Sequence, residues 1–153
     1  MPWPIRSVLI AILSCFALVL VQRPAWAQAD AAIKRLSIDD WCKAESARDL
    51  DAKMALFAAD AVLMPPGAQS VVGHQAIRAW QETAWKANKY QCSGTVTEVQ
   101  VLGEWGYSRG TFSGLLTPTN GAAPTRDSGK FFNVVRRQAD GTWKLTRVMW
   151  NMN

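Results

Sequence analysis

The sequence predicts an α+β domain in which three N-terminal helices pack on a strongly curved antiparallel sheet. Helical periodicity dominates from Ala31 to Ala87, and alternating, partly β-branched segments follow from Gln91 onwards. Helices first and strands afterwards are typical of the α+β class. An Asp140-Gly141 turn between the last two alternating segments is a strong hairpin signal.

Residues 1–27 have the composition of a signal peptide. Arg6 supplies a small positive region, Val8 to Val21 is almost wholly apolar, and Ala25-Trp26-Ala27 has small residues at both positions that a signal peptidase reads. The apolar run is shorter than the roughly 20 residues of a spanning helix. We therefore expect cleavage after Ala27 and a periplasmic or secreted protein, with an uncleaved anchor or lipidation at Cys15 as alternatives.

Residues 28–153 are predicted to form a single domain. The formal net charge of the chain is +5, and removal of Arg6 and Arg23 lowers it by two. The remaining basic residues are scattered, whereas a nucleic-acid-binding protein concentrates them on one face. We expect no nucleic-acid partner and, after signal cleavage, no membrane partner.

Cys42 and Cys92 remain after cleavage, and their state is open. An oxidising compartment permits a disulfide between them, which would stabilise the fold by roughly 4 kcal/mol in the chain-entropy model. The sequence pattern favours two small buried side chains that do not meet, because nothing in it brings their Cα atoms together. The chain has one histidine and no Cys-x-x-Cys spacing, so we expect neither metal nor cofactor.

Three helices are predicted in the first half of the chain. Apolar residues recur every three to five positions from Ala31 to Ala47, as on one helical face. Asp49 is a plausible cap for a short second helix that ends near Ala59. The third helix follows Gly73. The residues expected to face inward on the second and third helices are Leu50, Met54, Leu56, Phe57, Ile77, Trp80, Ala84 and Trp85.

The extended segments alternate between apolar and polar residues. A strand before Pro65-Pro66 must stop there, because proline removes ladder donors. Thr117 to Asp127 is rich in Pro, Gly and Thr and is predicted to be a loop at a rim. Gly106, Gly110 and Gly114 would permit a sharp bend of the sheet or close approach of a helix. The predicted strands are Val62–Met64, Gln91–Leu102, Glu104–Leu116, Lys130–Arg137 and Thr142–Met152.

Several motifs carry a resemblance to a known family. They are Ala47-Arg48-Asp49-Leu50-Asp51, Leu56-Phe57-Ala58-Ala59-Asp60-Ala61-Val62, Met64-Pro65-Pro66-Gly67, Val72-Gly73-His74-Gln75-Ala76-Ile77 and Asp140-Gly141-Thr142-Trp143-Lys144. Over about residues 31–151, the chain resembles the nuclear-transport-factor-2-like superfamily, the cone-shaped, cystatin-like roll of ketosteroid isomerases and SnoaL-type polyketide cyclases. Within it, the chain resembles a branch of isomerase homologues that has no single known activity.

The resemblance also implies that isomerase chemistry by the family's route is lost. Ketosteroid isomerases use an aspartate base after the first strand, with a tyrosine and a protonated aspartic acid as oxyanion donors. The base position falls on Pro65, which cannot take a proton. The tyrosine position falls on Trp41, whose indole N–H donates without an acidic proton, and the second aspartate falls near Asn133.

A candidate binding face follows from the predicted hairpin. Pairing about the Asp140-Gly141 turn places Asn133 opposite Arg147. A cationic cluster on this face predicts an anionic or carbonyl-bearing ligand, because a buried guanidinium needs partners. The alternative is an outer, solvated or dimer-forming face, and one bulge would reverse the assignment beyond it. The gathered residues would be Tyr107, Arg109, Thr111, Asn133 and Arg147.

Other residues are weighed one by one. His74 could act as a general acid or base, but after Gly73 at a helix start it is expected to cap or to face solvent. Asp60 is expected to fix a turn. The mature chain is rich in tryptophan, either as ordinary core or as pocket lining. Trp41 and Trp150, from the resemblance, and Met64, at the end of a strand, are the predicted lining residues.

These observations predict an exported protein that holds a small hydrophobic molecule with a polar end in a cup, and we expect a homodimer, as many relatives form. One alternative is an isomerase, cyclase or hydratase using His74, Tyr107 or Arg109 in new roles. A second is a structural dimeric subunit whose cup is filled by its own tryptophans. The predicted ligand-binding residues are Trp41, Met64, Tyr107, Arg109, Asn133 and Trp150.

Overall fold

The computed structural model describes residues 25–153, so all but the last three residues of the predicted signal peptide lie outside them. No helix within this range has the length and apolar character needed to cross a membrane. In chain order the elements are α1 (Ala25–Lys34), a π-helical segment (Arg35–Asp39), α2 (Asp40–Ala47), α3 (Leu50–Met54), β1 (Phe57–Met64), β2 (Val71–Val72), α4 (His74–Ala87), β3 (Asn88–Leu102), β4 (Trp105–Pro118), β5 (Thr125–Arg137) and β6 (Trp143–Met152).

The strands form one six-stranded sheet in the order β2-β1-β6-β5-β4-β3. Every ladder is antiparallel except that between β1 and β6, which is parallel. The α+β prediction is confirmed, and the expectation of a wholly antiparallel sheet is corrected at this one ladder. The predicted turn at Asp140-Gly141 is also confirmed, since Gly141 has φ +84° and donates its N–H to Gln138.

The long N-terminal helix is made of α1, the π-helical segment and α2, and it ends at Arg48, which has φ +54°. Asp49 then caps α3 as predicted, because its Oδ1 accepts the N–H of Ala52 at 2.9 Å. The predicted extension of this second helix to Ala59 is wrong. Phe57 instead pairs with Leu145 at the start of β1, and this tertiary pairing outweighs the helix propensity of the alanines around it.

The helices cover one face of the sheet, which we call the inner face, and the main hydrophobic core lies between them. The fully buried core residues come from helices and strands, and each large aliphatic or aromatic side chain among them contributes roughly 1.5–3 kcal/mol by its burial. Among the predicted inward residues, Met54, Leu56, Phe57, Ile77 and Trp85 are buried. The most deeply buried apolar residues are Ile33, Met54, Ala61, Leu63, Ile77, Val135 and Leu145.

Glycines on the inner face permit the close approaches that the sequence predicts. A Cβ atom at Gly110 would lie 2.0 Å from the Thr95 carbonyl oxygen of the neighbouring strand and 2.7 Å from Cζ of Phe131. A Cβ at Gly94 would lie 2.7 Å from Cδ1 of Ile38 in the π-helical segment. The sheet therefore bends, and the N-terminal helix lies against it, where side chains are missing.

A disulfide joins Cys42 of α2 to Cys92 of β3, with their Cα atoms 5.3 Å apart. The interpretation of two side chains that do not meet is therefore wrong. Residues 50 positions apart in sequence meet because the N-terminal helix crosses the inner face at β3. The bond fixes this helix to the half of the sheet that carries the site described below.

Candidate functional site

A cavity of about 230 Å³ opens between α2, α4 and the inner face of the sheet. Its wall is mainly aromatic and aliphatic, with a few polar side chains among them. The aromatic residues that line it are Trp41, Trp80, Trp85, Tyr90, Phe112, Phe131 and Trp150. The polar residues that line it are Ser37, Glu45, Gln81, Asn88, Asp127 and Asn133.

Four tryptophans from three elements form much of the apolar wall. Trp41 projects from α2, Trp80 and Trp85 project from α4, and Trp150 projects from β6. Trp80 and Trp150 pack edge to face, with ring centroids 6.2 Å apart. Such flat apolar faces suit a planar or compact ligand.

Glu45 is the best-connected polar group of the cavity wall. Its Oε1 accepts the indole N–H of Trp85 at 2.5 Å and the amide N–H of Gln81 at 3.3 Å. Its Oε2 accepts from the Lys53 ammonium at 2.7 Å. These three donors come from α3 and α4, so the two elements that flank α2 hold its carboxylate in one orientation.

Lys53 is 0% exposed and lies behind the cavity wall. Its Nζ sits 3.3 Å from the centroid of the Trp41 ring, a cation–π contact, as well as on Glu45. Burial lowers the pKa of the Lys53 ammonium to about 8, although the charge and hydrogen bond of Glu45 oppose that shift. A buried cation thus supports both the carboxylate and one aromatic wall.

Asn133 contributes an unsatisfied acceptor to the floor of the cavity. The residue is 1% exposed, and its Oδ1 has no hydrogen-bond partner within the described part of the chain. Its neighbour on β4, Ser108, is engaged already, since its Oγ shares a 2.7 Å hydrogen bond with Oγ of Ser37. A buried amide oxygen without a partner is costly, and a ligand donor would relieve that cost.

A second polar pair lies at the far end of the cavity. The Tyr90 hydroxyl donates to Oδ1 of Asp127 at 2.6 Å. Burial and this hydrogen bond raise the pKa of the Tyr90 phenol above its ordinary value, so it remains a neutral donor. The ring lies over Gly114, where a Cβ would fall 2.3 Å from Cζ of Tyr90.

The structure brings three of the six predicted ligand-binding residues to this cavity, Trp41, Asn133 and Trp150. Met64 is half-buried at the end of β1, beside Met149, and does not line the cavity. Tyr107 and Arg109 lie on the outer face of the sheet, where both hydrogen-bond Glu98 at 2.5 Å. The predicted grouping of these two with Asn133 is therefore wrong.

A β-bulge at Thr146 explains why Arg147, which also belonged to the predicted cluster, does not join Asn133. Val135 pairs with Leu145 but Val134 pairs with Arg147, so Thr146 is an extra residue on β6. Beyond it the register shifts by one, and Asn133 lies opposite Val148 instead of Arg147. On the other side, Asn133 pairs with Ser108. Arg147 and Thr111 consequently face away from the cavity together with Tyr107 and Arg109.

The charge of the cavity wall is the opposite of the predicted one. Glu45 and Asp127 are carboxylates, and none of the lining residues within the described chain is lysine, arginine or histidine. The expectation of an anionic or carbonyl-bearing ligand rested on the cationic cluster and is corrected with it. In residues 25–153 no group of three or more His, Cys, Asp or Glu side chains is arranged to hold a metal ion.

The SnoaL-like domain family matches residues 38–147, which is most of the chain and runs from the π-helical segment into β6. The chain belongs to the SnoaL-like domain family. No curated protein matches its sequence.

Solved structures of the same fold agree with this assignment. A ketosteroid isomerase-like protein from Erwinia carotovora atroseptica SCRI1043 is 22% identical, with TM-score 0.74 over 80% of this chain and 94% of that one. A nuclear transport factor 2 (NTF2-like) superfamily protein from Salmonella enterica subsp. enterica serovar Typhimurium str. LT2 is 12% identical, with TM-score 0.76 over 84% of this chain and 93% of that one. Hexachlorocyclohexane dehydrochlorinase LinA-type3 from Novosphingobium barchaimii LL02 is 19% identical, with TM-score 0.73 over 84% of this chain and 88% of that one. At these identities the likeness concerns the fold.

In this SnoaL-like domain the residues matched to the isomerase machinery lie in different places. Pro65 is buried directly after β1 and does not line the cavity, whereas Trp41 and Asn133 both do.

His74 binds the Met54 carbonyl oxygen through Nε2 at 3.0 Å, and Asp60 accepts from Arg136 at 2.9 Å. Neither His74 nor Asp60 reaches the cavity wall.

Glu45, one of the two carboxylates of this SnoaL-like domain that line the cavity, was missed by sequence reasoning, as were Lys53 and Gln81. A usable signal exists in the helical spacing. Glu45 follows Trp41 by four residues, and Gln81 lies four residues after Ile77 and four before Trp85. Residues at this spacing share a helix face, so polar side chains in those positions must point among the buried aromatic ones.

Proposed function

We propose that this SnoaL-like domain is an exported small-molecule-binding protein whose cup holds a hydrophobic ligand with a polar end. The observation that carries the proposal is the cavity of about 230 Å³ walled by four tryptophans. An apolar cavity of about 150 Å³ is large enough for benzene. A substituted single ring or a compact two-ring molecule is the ligand size that this volume supports.

The polar lining supports the second half of the proposal. A ligand pocket combines a mostly apolar wall with a small number of placed polar groups that fix orientation. Glu45 is held by three donors, and Asn133 offers a buried oxygen that lacks a partner within residues 25–153. A wholly apolar molecule would leave that oxygen unsatisfied.

Two features support export. The apolar run of residues 8–21 before Ala25-Trp26-Ala27 has signal-peptide character. The Cys42–Cys92 disulfide forms and persists in oxidising compartments such as the periplasm. Fractionation of cells that produce the full chain, with N-terminal sequencing of the product, tests this part; an intact N-terminus in the cytoplasm would contradict it.

Ligand binding is tested with toluene, phenol and indole as probes, by isothermal titration calorimetry. Ala84 lines the cavity, and Ala76 is exposed on the same helix. Ala84→Leu fills part of the cavity and is expected to weaken probe binding about tenfold or more, whereas Ala76→Leu should leave it unchanged. Equal affinities for both variants, or no binding of any probe to the wild type, would contradict the proposal.

An enzyme of the isomerase, cyclase or hydratase type is the second candidate. It is favoured by one observation, namely titratable side chains at the cavity wall, Glu45 and the Tyr90–Asp127 pair. Incubation of the protein with a β,γ-unsaturated cyclic ketone, which can isomerise, and with 1-phenylethanol, which can lose water, followed by NMR of each probe, separates the two functions. Conversion that is lost in Glu45→Gln would favour the enzyme, and an unchanged probe favours binding. The open cavity argues against a subunit filled by its own tryptophans.

We also propose that two copies associate through the outer face of the sheet. Phe132 and Met149 are 38% and 47% exposed there, and the Phe132 ring stacks on Tyr107 at 5.4 Å. Neighbouring exposed apolar side chains of this kind mark contact surfaces. Met149→Glu is expected to shift the protein to a monomer in analytical ultracentrifugation. A wild-type monomer at all accessible concentrations would refute this association.

A further inference from the structure

We infer that the polar end of the ligand is a neutral hydrogen-bond donor, of the phenol or alcohol class, and that the carboxylate of Glu45 receives it. The inference rests on the proposed binding function and names the chemistry of its site. It draws on the arrangement of Glu45, Lys53, Gln81 and Trp85, which no part of the family resemblance assigns.

The hydrogen bonds of Glu45 leave room for one more donor. A carboxylate has about four acceptor positions on its two oxygens. Trp85 and Gln81 occupy those on Oε1, and Lys53 occupies one on Oε2. Glu45 is part of the cavity wall, and the inference assigns the remaining position at Oε2 to a donor in the cavity. A carbonyl or ether oxygen could not use it.

Charge disfavours an ionic group of either sign at Glu45. An anionic end would meet Glu45 and Asp127, with no lysine, arginine or histidine among the described lining residues to balance it. A cationic end on Glu45 would lie next to the Lys53 ammonium, which is fully buried and already 2.7 Å from Oε2. Like charges at such short range in a poorly solvated site repel strongly. A neutral donor avoids both penalties.

Asn133 supplies an independent observation in the same direction. Its unpartnered Oδ1 is a second acceptor in the cavity. Acceptors that face an apolar space and lack donors are matched by a ligand that brings donors. Molecules with two hydroxyl groups on one ring system could satisfy both oxygens.

Lys53 acts in this assignment as a positioning residue. It does not line the cavity, but it neutralises Glu45 and holds Oε2 while its own ammonium packs on the Trp41 ring. Removing Lys53 alone would change the charge and orientation of the acceptor. Removing both charges together, in Glu45→Gln/Lys53→Met, leaves an uncharged pair at these two positions, with Asp127 as the remaining carboxylate of the cavity wall.

The test compares phenol, toluene, benzylamine and benzoate, which have similar size, by titration calorimetry at pH 7. The measured quantity is the ratio of the toluene to the phenol dissociation constant, in the wild type and in Glu45→Gln/Lys53→Met. The ratio is expected to fall about tenfold or more in the variant, the effect of one hydrogen bond to a charged group. Both dissociation constants of a ratio are measured on the same protein. A small change in cavity shape therefore affects both probes and largely cancels in the ratio.

The outcomes separate this inference from the proposed function. A ratio that stays the same in the variant, or tighter wild-type binding of benzylamine or benzoate than of phenol, would overturn the inference and leave the binding function in place. No binding of any probe, toluene included, would overturn both. If the double variant does not fold, the order of the dissociation constants of the wild type decides. Phenol must then bind about tenfold more tightly than both charged probes.

Discussion

The Lys53 ammonium and the Glu45 carboxylate form an ion pair 2.7 Å long in which the lysine is fully buried. Taking both charges out of water is expensive, and their attraction repays that cost only while both partners are present. The pair therefore contributes little net stability, but it is sensitive to the loss of either member. Its effect is to keep a carboxylate at the wall of an aromatic cavity.

Lys53→Met alone is expected to lower the free energy of unfolding by about 3–5 kcal/mol, because it leaves Glu45 buried without its cation. Glu45→Gln/Lys53→Met should recover most of that loss, since neither side chain of the pair then carries a charge that must be desolvated. Urea unfolding followed by circular dichroism measures both variants. A double variant as unstable as Lys53→Met would show that packing of the lysine stem, and not the charge, is the larger effect.

Stability should rise with pH above about pH 8. The pKa of Lys53 is lowered from 10.5 to about 8 in the folded protein, so between these values the unfolded chain binds more protons than the folded one. Raising the pH therefore favours the folded state, by up to about 1.4 kcal/mol per pH unit. Urea unfolding from pH 7.5 to 9, where the tyrosines of the unfolded chain are still mostly protonated, measures this slope. The slope should vanish in Glu45→Gln/Lys53→Met; a wild-type slope equal to that of the variant would be the contrary result.

Asn133→Leu is expected to leave the ligand-free protein as stable as the wild type, or to stabilise it by about 1 kcal/mol. The substitution replaces a buried oxygen without a partner in the described chain by an apolar group of similar size. Ser108→Ala is the matched control, because it removes a buried hydroxyl that does have a partner, Ser37, and it should cost about 1 kcal/mol. Thermal unfolding of both variants without ligand decides, and a larger loss for Asn133→Leu would contradict the assignment.

Loss of the disulfide should destabilise the protein by about 2–4 kcal/mol. Cys42 and Cys92 close a loop of 50 residues, which restricts the unfolded chain. Cys42→Ala/Cys92→Ala and the wild type with reductant are expected to unfold at similar, lower urea concentrations. Reductant should have no effect on the double variant. An unchanged midpoint for the reduced wild type would show that the bond adds nothing to the fold.

Gly114→Ala should destabilise the fold by about 1–3 kcal/mol, because its Cβ would lie 2.3 Å from Cζ of Tyr90 and would displace the ring. In a Tyr90→Ala background the same substitution should cost much less. A double-mutant cycle from urea unfolding gives the coupling energy. Independent, additive effects would place the strain elsewhere.

Much of the fold could be predicted because local signals and tertiary structure agree. The cap at Asp49 and the turn at Asp140-Gly141 depend on a few neighbouring residues, and both occur where the sequence places them. Phe57 begins a strand, and not the end of a helix, because it pairs with Leu145 of β6, a residue distant in sequence. Local propensity cannot contain that information.

The site was harder to predict because it, too, depends on contacts between residues that are distant in sequence. The assignment of Tyr107 and Arg109 to the cavity required a correct register across three strands, and side chains reverse faces with each one-residue shift. Trp41, Asn133 and Trp150 were found because the resemblance, not the register, indicated them. Lys53 was not considered, since a lysine on a short helix is ordinarily solvated.

The bulge at Thr146 has an evolutionary consequence. One additional residue in β6 decides whether a valine or an arginine is presented to the interior beyond that point, while the pairing near the hairpin turn is unaffected. Insertion or deletion of a single codon in β6 would therefore exchange an uncharged side chain for a cationic one at the inner face of the sheet. Proteins with this roll need not accumulate many substitutions to acquire a new binding preference.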